Sequence, residues 1–278
     1  MADITTSTTA PGWARDEYTF APLDVVAPAL INQCTLVSGD VEGDEPSLHV
    51  AYVVDQLDAE YVAENTAGTE NPPGLDEVEI KTKKLYRLVN LSFEQWQQDE
   101  TAAAVANSVS TDLIAKADAS FLGENTSPLI GLLNAPDVIV GTQVANSLDN
   151  LVDLIATLEA NRSKPSHIIV DPMSWAALRK LKVGTAYNAS LLGAGTHDSQ
   201  PMLLDLPVVR SPFVPAGTGV VVDATAIASA LGPVRIATSE HALFAQDAIQ
   251  IRATWRIGWK VMRPTRIGRF TVAGAGGS

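Results

Sequence analysis

The residues most able to do chemistry are four histidines, one cysteine and a dense run of carboxylates. His49, His167, His197 and His241 are scattered, and none has a His or Cys at the spacing of a metal site, where several donors must converge on one point. Gly193-Ala194-Gly195-Thr196-His197-Asp198-Ser199 sets Gly, His, Asp and Ser side by side, as a hydrolase might if its triad were local. Triad residues meet through the fold and seldom through adjacency, so a flexible loop is the better reading. The GxG there also lacks the strand, third glycine and helix of a nucleotide site. Cys34 has no motif around it and reads as a small apolar packing residue, alone and so without an internal disulfide. No HExxH, GxSxG, P-loop or EF-hand pattern occurs. The expectation is no catalytic residue, no metal and no cofactor.

The carboxylates are concentrated between Asp40 and Ile80, a stretch with no Lys or Arg. Charge runs are ordinarily solvated faces, and no DxDxDG-like calcium loop is present. Near the other end, Arg252, Thr254, Arg256, Gly258 and Lys260 alternate with Ile251, Ala253, Trp255, Ile257 and Trp259, and Arg263, Arg266 and Arg269 extend the positive stretch. An acidic arm and a cationic strand on one chain are complementary, which points to subunits that clasp one another.

The acidic segment reads as a long projecting hairpin, with strands at Glu60–Glu64 and Glu77–Ile80 and turn formers between them. Leu85 to Ser92 reads as a strand leading into a helix start at Ser92-Phe93-Glu94-Gln95. Val105, Val109, Leu113, Ala117 and Phe121 recur every four residues, predicting one long helix from Asp99 to Leu122 with Gly123 as its C-cap. A second unit begins near Thr126. It holds an amphipathic helix after Ser147, a buried strand at His167–Val170, and a helix opened by Asp171-Pro172, where Asp suits the N-cap and Pro the first turn. Strands follow at Leu206–Arg210, Gly219–Asp223 and Val234–Thr238, and the clearest is Ile251–Val261. Helices and strands interleave without a regular βαβ repeat, which gives an α+β class.

The chain has 278 residues, 46% of them apolar, enough for a substantial core and about two packed units. Its 19 basic against 32 acidic residues, a formal charge of −13, argue against a dedicated nucleic-acid binder. Residues 1–19, Thr-, Ser- and Pro-rich, read as a mobile arm, and 274–278 as a flexible tail. The N-terminal sequence has neither the basic nor the apolar region of a secretory signal, and no run is long enough to span a bilayer; the expectation is a cytosolic, reducing environment and no membrane partner.

In their order, these parts resemble the major capsid proteins of tailed bacteriophages of the Hong Kong 97 type. The resemblance runs from about Ala21 to Ala273. It rests on Tyr61-Val62-Ala63-Glu64 with Leu75 to Leu85, on Leu88-Val89-Asn90-Leu91-Ser92 ahead of the long helix, on Ile168 to Leu178, and on Leu204 to Pro212. It implies an N-terminal arm (1–40), an extended loop (41–80), a peripheral domain begun at 81–129 with a long spine helix and completed by return strands and tail at 241–278, and an axial domain (130–240). In that family the extended loop lies over a neighbour's peripheral domain, and the shell is built from pentamers and hexamers around double-stranded DNA. The expected inter-subunit contacts therefore pair Glu60, Tyr61, Glu64, Glu70, Asp76, Glu77 and Glu79 with Arg252, Arg256, Lys260 and Arg263. The implied partners are further copies of the chain, a separate scaffolding protein, a portal, cement or decoration proteins, and DNA bound without sequence specificity; the implied location is the virion, after assembly in the host cytoplasm. Some relatives join subunits through a lysine of the extended loop, and no lysine lies between Val41 and Ile80 here, so that cross-link is not expected. The rival of the same fold is an encapsulin shell protein; the rival of another class is a soluble hydrolase using His197, Asp198 or Ser199.

Overall fold

The computed structural model describes residues 17–20, 25–53, 59–62, 64–65, 67, 74–96, 101–184, 187–192 and 201–274. Strands are numbered in chain order: β1 (Glu17–Phe20), β2 (Leu36–Asp40), β3 (Ser47–Val53), β4 (Leu75–Ser92), β5 (Ile139–Val140), β6 (His167–Val170), β7 (Lys182–Gly184), β8 (Tyr187–Ser190), β9 (Met202–Leu203), β10 (Leu206–Arg210), β11 (Thr218–Val222), β12 (Ile227–Leu231), β13 (Val234–Leu243), β14 (Ala248–Val261) and β15 (Gly268–Thr271). Helices span Leu30–Gln33, Phe93–Trp96, Thr101–Gly123, Asp149–Ala160 and Pro172–Arg179. The fold mixes α and β in two main sheets, and β7 and β8 form a small ribbon of their own.

β14 is the axis of the first sheet. It pairs antiparallel with β13 and β12, and with β4 from Thr82 to Ser92; β1 borders β13, and β2 runs parallel to β12. Its alternation is the reason for the core beneath it: Ala253, Trp255, Ile257 and Trp259 face Val109, Leu113, Ala117 and Phe121 of the long helix, all buried. The two indoles also find acceptors, Trp255 Nε1 donating to the Gly232 carbonyl (3.0 Å) and Trp259 Nε1 to that of Ile130 (2.8 Å). Trp259 meets the Phe121 ring edge-on at 5.5 Å.

The second sheet runs β5-β15-β11-β6-β10-β9. Its central strand β6 is apolar from Ile168 to Val170, where both faces are covered. Ile168 and Val170 meet the helix residues Leu151, Leu154 and Leu158, while Ile169 joins the first core. As the sequence predicts, Asp171 caps the following helix, accepting from the Met173 and Ser174 N–H groups with Pro172 in the first turn. Ser92 and Gln95 likewise form a reciprocal capping box, Gln95 N donating to Ser92 Oγ and Ser92 N to Gln95 Oε1.

Several expectations are corrected. Residues 59–62 are not a strand; the acidic hairpin pairs Ser47–Val53 with Leu75–Lys81. Leu48, Val50 and Tyr52 share a face with Val78 and Ile80, and that face packs on Val41, Ala228, Ala230 and Met262, so this half of the hairpin is part of the core. Residues 25–40, read as arm, are also built in: Val26, Ala29, Leu30, Ile31 and Cys34 are buried beneath the first sheet, and β2 extends it. β15 belongs to the second sheet and not, as its place in the chain led one to expect, with the return strands of the first. Gly123 is the last helical residue, without a left-handed backbone.

Candidate assembly interface

β4 is 18 residues long and changes partner along its length. Up to Lys81 it pairs with β3; from Thr82 on it pairs with β14. The exchange demands close approach of three strands, and Gly258 permits it: a Cβ there would lie 2.4 Å from the Lys81 carbonyl oxygen. Across the hairpin, Tyr52 donates to Asp76 Oδ2 at 3.2 Å, and His49 Nδ1 sits 2.5 Å from Glu77 on the outward face.

At the exchange point the hairpin is fastened to the sheet. Arg256 Nε donates to the Glu45 carbonyl (2.8 Å) and to Thr82 Oγ1 (2.7 Å), and Thr82 Oγ1 itself donates to the same carbonyl (2.6 Å). Asp44 bridges Arg256 Nη1 (3.5 Å) and Lys84 Nζ (3.2 Å). The Lys84 hydrogen bond and charge, followed by the charges of Arg256 and Arg235, hold the Asp44 carboxyl below the usual carboxylate range. The Arg256 side chain keeps only 17% of its exposure.

The expected contact residues therefore fall into two groups. Glu60, Tyr61, Glu64 and Glu79 are exposed, as are Arg252 and Lys260, and so is Glu77, which also pairs with His49 of its own hairpin. Arg256 instead secures its own chain's hairpin, Arg263 donates to the Val53 carbonyl at 3.4 Å, and Asp76 accepts from Tyr52. Glu70 lies outside the described residues. Sequence reasoning did not find Asp44, Thr82 and Lys84; the signal available was a carboxylate followed by the first cations after the acidic run, but only the register brings them to Arg256. Strand register also shows what surrounds Arg252. The sheet face turned away from the long helix carries Lys84, Tyr86 and Leu88 of β4 beside Arg252 and Arg256 of β14 and Arg235 of β13. Tyr86 is 57% exposed there.

The remaining chemistry-bearing residues do not converge. Among the described residues no three His, Cys, Asp or Glu side chains are placed to hold a metal, and no helix is long and apolar enough to cross a membrane. Burial, and secondarily the charge of Asp118, pushes the Cys34 thiol up to about 12, which leaves it an inert packing group. His167 is half-buried beside Ser166 Oγ (3.1 Å), and desolvation lowers its pKa. His197, Asp198 and Ser199 lie outside the described residues.

What the arrangement offers is surface for other subunits, and the phage capsid family matches residues 41–271. The chain belongs to the phage capsid family. As a phage capsid protein it is a structural, self-assembling subunit of the virion shell and not an enzyme. Its fold is that of solved capsid structures. The capsid of a native GTA particle is 19% identical, with 99% of this chain and 96% of that chain covered and a TM-score of 0.66. A chain from Mycobacterium phage Adephagia is 11% identical over 99% of this chain and 100% of its own, with a TM-score of 0.66. One from Gordonia phage Cozz is 14% identical over 95% and 92%, with a TM-score of 0.64. No curated protein matches the chain.

Proposed function

We propose that this capsid protein assembles through pentamers and hexamers into an icosahedral head shell around double-stranded phage DNA, in the host cytoplasm, with a separate scaffolding protein, a portal and optional cement proteins. The observation that carries the reading is the family match over residues 41–271 together with a hairpin that leaves the main sheet while sharing a strand with it. In this reading the second sheet is the axial domain, the first sheet and the Thr101–Gly123 helix are the peripheral domain, and 41–80 is the extended loop. The acidic loop of one subunit, with Glu60, Tyr61, Glu64, Glu70, Glu77 and Glu79, lies against a neighbour's uncovered sheet face at Arg252, with Lys260 roughly 26 Å further along the same strand; opposite potentials set the register, and symmetry multiplies a modest contact.

Electron microscopy of purified protein, with light scattering for mass and absorbance for nucleic acid, tests the whole. Closed shells or rings of five and six are expected, and DNA-filled heads separate a phage capsid from an encapsulin; only small oligomers, even with phage scaffold supplied, would refute it. Arg252→Glu tests the contact: the subunit should fold normally and assemble poorly, and shells of normal yield would refute the pairing.

A further inference from the structure

The end of the helix Asp149–Ala160 and the link Met262–Arg266, which carries the chain from β14 to β15, face each other across a cleft of about 450 Å³. Arg162, Arg263 and Arg266 line it, and no acidic residue does among the described ones. Both walls are pinned. Asn161 Nδ2 donates to the Thr265 carbonyl (3.4 Å), Ser163 Oγ donates to that of Arg266 (3.1 Å), and Arg263 donates to the Val53 carbonyl of β3 (3.4 Å). The negative end of the helix is largely neutralised, because the N–H groups of Asn161, Arg162 and Ser163 take up the Thr157, Leu158 and Glu159 carbonyls. Arg162 makes this closure in the left-handed conformation (φ 60°), a position that suits glycine and strains a residue with a Cβ. An exposed arginine kept there against the local preference points to a use for its charge.

We infer that this cleft is a phosphate-binding site, in which Arg162, Arg263 and Arg266 close on the oxygens of one phosphate group. Guanidinium forks match phosphate oxygens two at a time, and a concave wall concentrates their field. On a chain of formal charge −13 the cleft is a local reversal of sign. The phosphate is a free anion or one unit of a nucleic-acid backbone; the chemistry that recognises it is the same. A carboxylate from a second copy fits less well, since it brings two oxygens to donors that converge from both walls. The site does not depend on the capsid reading, although a backbone phosphate would give that reading a point of contact with the packaged strand.

Arg162→Gly tests the site without threatening the fold, because glycine relieves the left-handed strain: purified full-length variant should melt about 1–3 °C above the parent in chloride buffer. At equal ionic strength, about 20 mM inorganic phosphate should raise the parent's midpoint by about 3 °C, as a site of about 1 mM affinity requires, and leave the variant's unchanged. Lys180→Gln removes a charge outside the cleft and should respond as the parent does. Fluorescence anisotropy with a labelled duplex of about 20 bp then separates the two sources. If nucleic acid supplies the phosphate, the variant binds several-fold more weakly and its slope of log K against log salt is smaller by about 1. Equal duplex binding by parent and variant assigns the site to the free anion. A parent midpoint that phosphate moves no more than chloride does would overturn the inference. So would a peptide of residues 59–65 that stabilises the parent as well as phosphate does, which would make the cleft a carboxylate socket for a second copy. None of these outcomes bears on whether the chain forms shells.

Discussion

Asp118 of the long helix is the carboxylate whose replacement should be most informative. It is 9% exposed, and its Oδ1 accepts the Leu30 N–H at 2.8 Å, joining the buried segment 25–35 to the helix. Desolvation raises its pKa to about 6, and the Leu30 hydrogen bond opposes this without cancelling it. An unfolded Asp ionises near 3.9, and each unit of difference is worth about 1.4 kcal/mol, so the ionised side chain costs the folded state at most about 3 kcal/mol. Because the folded pKa is the higher one, the contribution is intact below about pH 4 and is lost as pH rises toward 6. Asp118→Asn keeps an acceptor for Leu30 and removes the charge. It should be more stable than the parent by about 2 kcal/mol above pH 7, a shift of about 1 M in the urea midpoint of unassembled subunits, with the gap closing near pH 4. Carboxylates such as Asp44, whose lowered pKa acts in the opposite direction, are common to both proteins and drop out of the difference. Asp118→Leu, which strands the Leu30 N–H, should be less stable than the parent by about 1–3 kcal/mol near pH 4, and that deficit should shrink by about 2 kcal/mol above pH 7, where the parent carries the cost of its buried charge. A gap between parent and Asp118→Asn that does not change with pH would refute the reasoning.

Gly258→Ala drives a methyl group into the Lys81 carbonyl and should cost about 2–3 kcal/mol, read from urea midpoints. Leu204 and Asp205 both have positive φ (51° and 63°) in the two-residue turn between β9 and β10, a geometry that favours Asn and Gly. Leu204→Asn should therefore stabilise the subunit by about 0.5–1 kcal/mol in the same assay. Arg256→Ala releases Glu45 and Asp44, and amide exchange across 44–53 and 75–81 should accelerate while β10 and β11 keep their protection; unchanged exchange in the hairpin would show that the apolar contacts of Leu48, Val50 and Ile80 hold it alone.

What could be read from sequence was what is local. Asp171-Pro172 announces its helix because an N-cap and a first-turn proline are satisfied by neighbours in the chain. The alternation of Ile251 to Trp259 announces its strand because one face meets a core whatever that core is made of. The hairpin differs from expectation because Tyr61 and Val62, strand-like in type, lie outside any strand, whereas Leu48, Val50 and Tyr52 become a strand only opposite Val78 and Ile80. Arg256 was assigned to a solvated or partner-facing surface for the same reason: nothing in its neighbourhood in the chain says that residues 44–46, about 210 positions earlier, fold across it. β15 joins β5 and β11 through pairings that cross more than a hundred and about fifty residues respectively, which no periodicity records.

The partner exchange along β4 has a mechanical consequence. At about 3.3 Å per residue the strand is a beam of roughly 60 Å, and no joint interrupts it between hairpin and sheet. A pull on the hairpin along the strand axis loads the β4–β14 ladder in shear, many hydrogen bonds at once, where a loop-joined hairpin would let them peel one at a time. The Arg256–Thr82–Glu45 fastening sits at the fulcrum and resists sideways swing. Tension applied at the loop is thus delivered to the strand that carries Trp255 and Trp259, and so to the core beneath the first sheet.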